Sequence, residues 1–305
     1  MKPMHLKGIF PALMTAFTED HSAIDYDKVR SLVRFLIHKG VHGLYVGGSS
    51  SEMLLCSLSE RMELLETVLS ETRAADRHVS VIAHVGCNST KDTIALAKHA
   101  EAQGVDAISS ITPLYFAYGF SETYQLYKDI TSATNVPVIL YNIPARTGLT
   151  LNADQLRALL DIPNVAGMKF SSSDFYLLER MVTAYPDKVF YNGSDEMLLS
   201  GLVAGADGGI GTTYNFQPEQ ILKIYNLYSE NKIQEARCAQ REANSTIEVV
   251  LGYNVLAATK EVMRIGGLDY GTCREPFIPL TQEEKVALEA AITDKLGKDY
   301  MKIEK

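Results

Sequence analysis

The sequence predicts an α/β fold: a (β/α)8 TIM barrel with additional C-terminal helices. Three observations predict it. Short apolar runs alternate with segments of helical period, and this happens eight times within roughly the first 230 residues. From about Asn231 onward the helical period continues with no strand signal. The chain is 46% hydrophobic and 22% charged, which is ample for one large core. The expected division is a barrel over 1–230 and a helical extension over 231–305 packed on it. An open, doubly wound sheet is the structural alternative. No linker, low-complexity tract or short-period repeat interrupts the pattern.

Each element has its own signal. Gly8–Phe17 reads as the first strand. Asp25 then opens a helix with Val29, Leu32, Val33, Leu36 and Ile37 on one face, and Gly40 closes it. Val41–Val46 is the second strand, and Ser57-Leu-Ser-Glu60 has the pattern of a capping box at the next helix. Val79–Val85 is the third strand, followed by a helix ending near Gly104. Val105–Ile111 is the fourth, with Ser121 as the expected cap of its helix. Val136–Tyr141 is the fifth, with a helix from about Asn152. Val165–Lys169 is the sixth, with a helix over Asp174–Tyr185. Val189–Asn192 is the seventh, with a short helix from Glu196. Asp207–Gly211 is the eighth, and Gln217 begins its helix.

Composition narrows the function. A net charge of −8 argues against nucleic acid or an anionic membrane as partner. Cys56, Cys87, Cys238 and Cys273 are scattered, with no CxxC and no His at ligand spacing. They read as free thiols of a cytoplasmic protein, and no metal is expected. Lys2–Phe17 resembles a signal peptide, but Pro11 interrupts it and Thr18-Glu-Asp follows where small residues belong. No apolar run approaches transmembrane length.

Lys169 stands inside the apolar run Val165-Ala-Gly-Met-Lys-Phe170. Burial in general lowers a lysine's pKa, and a neutral amine forms imines with carbonyl compounds. A lysine snorkelling from a strand end is the other reading of this run. In a barrel, chemistry gathers at the C-terminal ends of strands and in the loops after them. Those places hold Gly47-Gly-Ser-Ser-Ser-Glu52, Tyr115, Tyr141, Lys169, Gly193-Ser-Asp-Glu196 and Gly211-Thr-Thr213. One amine, two phenols, several hydroxyls, two carboxylates and a glycine-rich loop suit imine chemistry better than inert packing.

The motifs Gly47–Glu52, Tyr141-Asn-Ile-Pro-Ala-Arg-Thr-Gly148, the sixth-strand lysine, Asn192–Glu196 and Gly205–Asn215 resemble the N-acetylneuraminate lyase and dihydrodipicolinate synthase superfamily. The likeness runs in order from Gly8 to about Asn215. Leu44-Tyr-Val-Gly-Gly, Ile82–Cys87, Asn192–Glu196 and Gly208–Asn215 favour its sialic-acid lyase branch. The resemblance implies a class I aldolase that cleaves N-acetylneuraminate reversibly to N-acetylmannosamine and pyruvate. Lys169 would form the imine and Tyr141 would shuttle the proton, aligned by Ser49 and by Tyr115 from a neighbouring subunit of a homotetramer. Ser49 and Ser50 would hold the pyruvate carboxylate. Asp195 and Glu196 would accept from sugar hydroxyls, with Gly193, Ser171 and Thr212 lining the same pocket. No cofactor is implied.

Two departures stand out. Ser51 occupies a position that is Gly in the usual loop, so strain is expected there. Arg146 matches a position that is apolar in sialic-acid lyases, whereas dihydrodipicolinate synthases carry an Arg there that binds a second carboxylate. Condensation of pyruvate with a semialdehyde is therefore one alternative. Aldol cleavage of another 2-oxo sugar acid is a second, and a non-catalytic ligand-binding barrel a third. Away from these residues, Glu52 reads as structural, His84 as a satisfied barrel histidine, and Lys260 as a lysine on an exposed helix face. The glycine run 205–211 is a weak dinucleotide look-alike, and a phosphate cradle ranks behind a substrate role.

Overall fold

The computed structural model describes residues 4–298 and 300–302, so Lys2 of the leader-like stretch and residues 303–305 of the C-terminal extension lie outside it. Strands and helices alternate from the start: β1 (Gly8–Pro11), α1 (Tyr26–His38), β2 (Gly43–Val46), α2 (Leu58–Arg73), β3 (Ser80–His84) and α3 (Thr90–Ala102). Next are β4 (Ala107–Ile111), α4 (Phe120–Ala133), β5 (Val138–Asn142), and the short α5 (Pro144–Thr147) before α6 (Ala153–Leu160). Then come β6 (Val165–Phe170), α7 (Phe175–Ala184), β7 (Val189–Asn192), α8 (Leu198–Val203), β8 (Gly208–Gly211) and α9 (Pro218–Ser229). Three more helices complete the C-terminal part: α10 (Ile233–Leu251), α11 (Val255–Ile265) and α12 (Gln282–Leu296).

The eight strands are parallel and run in the order β1-β8-β7-β6-β5-β4-β3-β2, a TIM barrel. It closes between β1 and β2, where the Leu13 N–H donates to the Tyr45 carbonyl (2.8 Å) and the His42 N–H to that of Ile9 (3.1 Å). Strand β1 stops short of the expected Phe17. Ladder bonds persist for two residues past Pro11, from the Ala12 N–H to the Gly211 carbonyl (2.8 Å) and from the Leu13 N–H to that of Tyr45 (2.8 Å). Phe10, Tyr45, Ile82, Ile139, Tyr191 and Ile210 form the buried cluster inside the barrel. The larger core lies between strands and helices.

The glycine run 205–211 enters the eighth strand, which spans Gly208–Gly211, close to the expected 207–211. A Cβ on Gly208 would lie 1.8 Å from the carbonyl oxygen of Gly8, so this glycine is needed for the β1–β8 approach. Local caps accord with the residue types. Asp25 accepts from the Lys28 N–H (3.1 Å), and Ser57 and Glu60 form the expected capping box. Ser121 is not a cap. Helix α4 begins at Phe120, and the Glu122 carboxylate takes the Gly119 N–H (3.0 Å), so the helix starts earlier than expected.

Lys260 also differs from expectation. Helix α11 is buried from Ala257 through Met263, and Lys260 is only 1% exposed. Its ammonium meets the Glu52 carboxylate at 2.7 Å and the Thr272 carbonyl at 2.8 Å. The other Glu52 oxygen accepts from the Arg274 N–H (2.8 Å). Arg274 in turn reaches Glu60 on α2 (2.6 Å) and the Leu55 carbonyl (2.7 Å). Glu52 is thus structural, as its sequence context suggested, and it fastens the C-terminal helices to the loop after β2. Lys260→Met should lower stability by about 3–5 kcal/mol, because it strands a carboxylate in the interior. Urea unfolding should show a lower midpoint, and adding Glu52→Gln should recover much of the loss. A native midpoint in the single variant would show the pair to be dispensable.

Candidate active site

Register places the chemistry. Lys169 on β6 lies beside Tyr141 on β5 and Tyr191 on β7. Paired residues on neighbouring parallel strands point to the same face of the sheet. Lys169 is 5% exposed. Its Nζ lies 4.1 Å from the centre of the Tyr141 ring and 4.6 Å from that of Tyr45, which reaches in from β2. It makes no hydrogen bond or ion pair with any described residue. The amine is therefore held by ring faces rather than by a carboxylate.

The surrounding groups are fixed. The Tyr141 N–H donates to the Tyr127 hydroxyl (3.2 Å), which itself donates to the Ser110 carbonyl. The Tyr45 hydroxyl donates to Ser109 (3.1 Å), and burial pushes its phenol well above the ordinary range. His84 lies edge-on to Tyr141 at 6.2 Å. Its Nδ1 meets the Gly47 carbonyl (3.2 Å) and its Nε2 accepts from the Ile111 N–H (3.1 Å). Both ring nitrogens are thus satisfied by a neutral imidazole. Burial pushes its pKa well down, helped by the nearby cations of Arg61 and Lys169. His84 is a structural barrel histidine, as its sequence context suggested.

The loop after β2 holds two 3-10 turns, Ser49–Ser51 and Met53–Leu55, with Glu52 between them. The expected strain at Ser51 is absent. The left-handed residue is Glu52, at φ +55°, held there by its two partners from the C-terminal segment. Ser51 instead staples the turn: it accepts from the Gly47 N–H (3.1 Å) and donates to the Leu13 carbonyl (2.5 Å). Ser50 and Thr212 share a hydrogen bond of 2.7 Å across the barrel mouth. Ser49 is exposed and its hydroxyl has no partner among the described residues.

Opposite lies the β7–α8 turn. The Ser171 hydroxyl is buried with no partner among the described residues, and a Cβ on Gly193 would lie 1.9 Å from it. Asp195 is buried, and one of its oxygens accepts from both the N–H and the hydroxyl of Thr213 (2.7 Å each). Burial raises its carboxyl from 3.8 to about 6, against the two Thr213 hydrogen bonds, which lower it. Glu196 is exposed beside it.

The structure therefore brings Lys169 and Tyr141 into contact, and it pairs Ser50 with Thr212 and Ser171 with Gly193. Two candidates stand apart. Tyr115 is 93% exposed, at φ +81°, and touches only Phe116 by its ring. Arg146 is exposed on α5, with no ion pair among the described residues. Three participants were given no role in the sequence reading: Tyr45, Gln240 and Asn244. Tyr45 stands two residues before Gly47, on a strand whose alternation points it inward, so its place was legible. The α10 amides of Gln240 and Asn244, behind Asp195 and Glu196, had no such signal; Thr213, in the motif after the eighth strand, holds the Asp195 carboxylate rather than facing substrate. No group of three His, Cys, Asp or Glu side chains among the described residues could hold a metal ion.

The sequence model of the dihydrodipicolinate synthetase family matches residues 5–295. The N-acetylneuraminate lyase of Rhizobium meliloti (strain 1021) is 41% identical over 295 residues, 96% of this chain and 97% of that protein. The crystal structure of CdNal from Clostridium difficile in complex with mannosamine has a TM-score of 0.91 at 34% identity, over 95% of this chain and 99% of that one. N-acetylneuraminate lyase from Fusobacterium nucleatum complexed with pyruvate has a TM-score of 0.89 at 35% identity, over 96% and 98%. Fold, motif order and near-complete coverage agree: the chain belongs to the dihydrodipicolinate synthetase family.

Proposed function

We propose that this protein is a class I aldolase that cleaves N-acetylneuraminate reversibly to N-acetylmannosamine and pyruvate. The observation that carries the reading is the unpaired amine of Lys169, buried against the ring of Tyr141. The names of its relatives support the substrate.

In this mechanism the Lys169 amine attacks the C2 ketone of the open-chain sugar acid and water leaves, giving a protonated imine. Tyr141 takes the proton from the C4 hydroxyl. The C3–C4 bond breaks, its electron pair passes into the imine as an enamine, and the aldehyde departs. Protonation at C3 and hydrolysis release pyruvate and restore Lys169. Ser49 and Ser50 hold the pyruvyl carboxylate with hydroxyl and backbone N–H donors. Asp195 and Glu196 accept from the polyol, beside Gly193, Ser171 and Thr212. The exposed, strained Tyr115 suits a residue given to a neighbouring copy, and we read the assembly as a homotetramer. Its four free thiols suit the cytoplasm.

Arg146 alone favours a second reading, condensation of pyruvate with a carboxylated semialdehyde. Its cation is exposed, with no ion pair among the described residues, so a substrate carboxylate could take it.

Borohydride reduction in the presence of pyruvate should add the reduced adduct's mass to the peptide holding Lys169, and to none in Lys169→Ala. An unchanged mass in the native protein overturns the aldolase reading. The ionised form of Asp195 is the better acceptor, so KM for N-acetylneuraminate should rise as pH falls through about 6. Asp195→Asn should lose that dependence. The same raised carboxyl contributes stability below about pH 4, which is lost as pH climbs through about 6. Arg146→Leu should leave N-acetylneuraminate cleavage intact or improved. A loss of semialdehyde condensation of about 30-fold or more would instead favour the second reading.

A further inference from the structure

The two acidic residues assigned to the sugar sit on a short turn that its own backbone closes only in part: the Met197 N–H donates to the Ser194 carbonyl (3.0 Å) and the Leu198 N–H to that of Asp195. Asp195–Met197 is a single 3-10 turn, and α8 comes directly after it. Neither Ser194 nor Met197 caps its element with a side chain. The first N–H groups of a helix need outside acceptors, and a buried carbonyl without a donor is costly. The Leu199 N–H and the Glu196 carbonyl find their partners on α10, a helix outside the eight strand–helix units.

Gln240 and Asn244 lie four residues apart, on one face of α10. The Gln240 Oε1 accepts from the Leu199 N–H (2.9 Å), which supplies α8 with its missing cap. The Gln240 Nε2 donates to the Asp195 carbonyl (3.3 Å) and to the Asn244 Oδ1 (2.8 Å). The Asn244 Nδ2 donates to the Glu196 carbonyl (3.0 Å). All four amide heteroatoms are used, and Gln240 is itself buried. Asp195 is then held from two sides, by Thr213 at its carboxylate and by Gln240 at its backbone. None of these bonds reaches Lys169, Tyr141, Ser49 or Ser50.

We infer that Gln240 and Asn244 are positioning residues that set affinity for the sugar end of the substrate, while leaving the pyruvate end untouched. This rests on the proposed reading of the site. Without Asn244 the Glu196 carbonyl loses its donor, and without Gln240 the Asp195 carbonyl keeps only the Leu198 N–H while α8 loses its cap; in either case the turn, and the carboxylates on it, can shift. The helical extension would thereby help to select the aldehyde, while the barrel carries out the bond chemistry.

The test separates the two ends. In Gln240→Leu, and separately in the more surface-tolerant Asn244→Ala, imine trapping with pyruvate alone should stay within about two-fold of native. In the condensation direction, KM for N-acetylmannosamine should rise roughly ten-fold, with KM for pyruvate little changed. Replacing Asn244 by Gln, which keeps the donor, should restore part of the loss. An unchanged N-acetylmannosamine KM in both variants overturns the inference. So does a parallel loss of trapping and sugar affinity, which would mark the pair as general scaffolding. Failure of the native protein to trap pyruvate would overturn the aldolase reading itself, and this inference with it.

Discussion

Lys169 stands on β6 inside a closed parallel barrel, where both faces of each strand are covered and water has little access. An amine in such a place must find another partner or be expensive to bury. Two buried lysines in this chain are treated differently. Lys260 has a carboxylate at 2.7 Å and a carbonyl at 2.8 Å. Lys169 has the faces of two phenol rings. A carboxylate would lock the amine into an ion pair. Ring faces exclude water and stabilise a cation without occupying the nitrogen. Much of the surrounding construction serves that arrangement: Tyr45 is tied to Ser109, Tyr141 is held through Tyr127, and His84 is held neutral between Gly47 and Ile111.

The rest of the mouth divides into a part made by the barrel and a part made by the C-terminal helices. The turn after β2 is stapled to Leu13 by Ser51. Its far end, at Glu52, takes a left-handed conformation that its partners on α11 and near Arg274 keep in place. Backbone strain of this kind persists where neighbouring bonds over-determine it. The acidic turn after β7 depends on Thr213 from one side and α10 from the other. The helices beyond residue 231 are thus structural partners of the mouth at two separate loops.

Much of this was legible in the sequence. Alternating apolar runs mark the eight units because both signals are local. The Lys169–Tyr141 contact is implied by two strand ends on neighbouring strands. The Ser57–Glu60 box is legible because its bonds span three residues. The features that escaped depend on distant partners or on packing. Lys260 looks exposed because helical period reports only which face a residue shares, and the counter-charge lies at residue 52. The strain expected at Ser51 moved one residue on for the same reason, since Glu52 answers to Lys260 and Arg274. Ser121 lost the cap of α4 to Gly119, because Glu122 could reach back to that N–H.

The pairing of Glu52 with Lys260 spans 208 residues. A ribosome adding 5–20 residues each second needs roughly 10–40 s to make the second partner after the first. Throughout that interval the nascent chain carries a carboxylate whose buried seat does not yet exist. Glu52 lacks its ion-pair partner until α11 has emerged, and the Leu199 N–H and Glu196 carbonyl lack theirs until α10 has. All eight of the barrel's strands are therefore made before the mouth can be finished. A chain released early would have the strand bearing Lys169 but lack the parts that complete its rim.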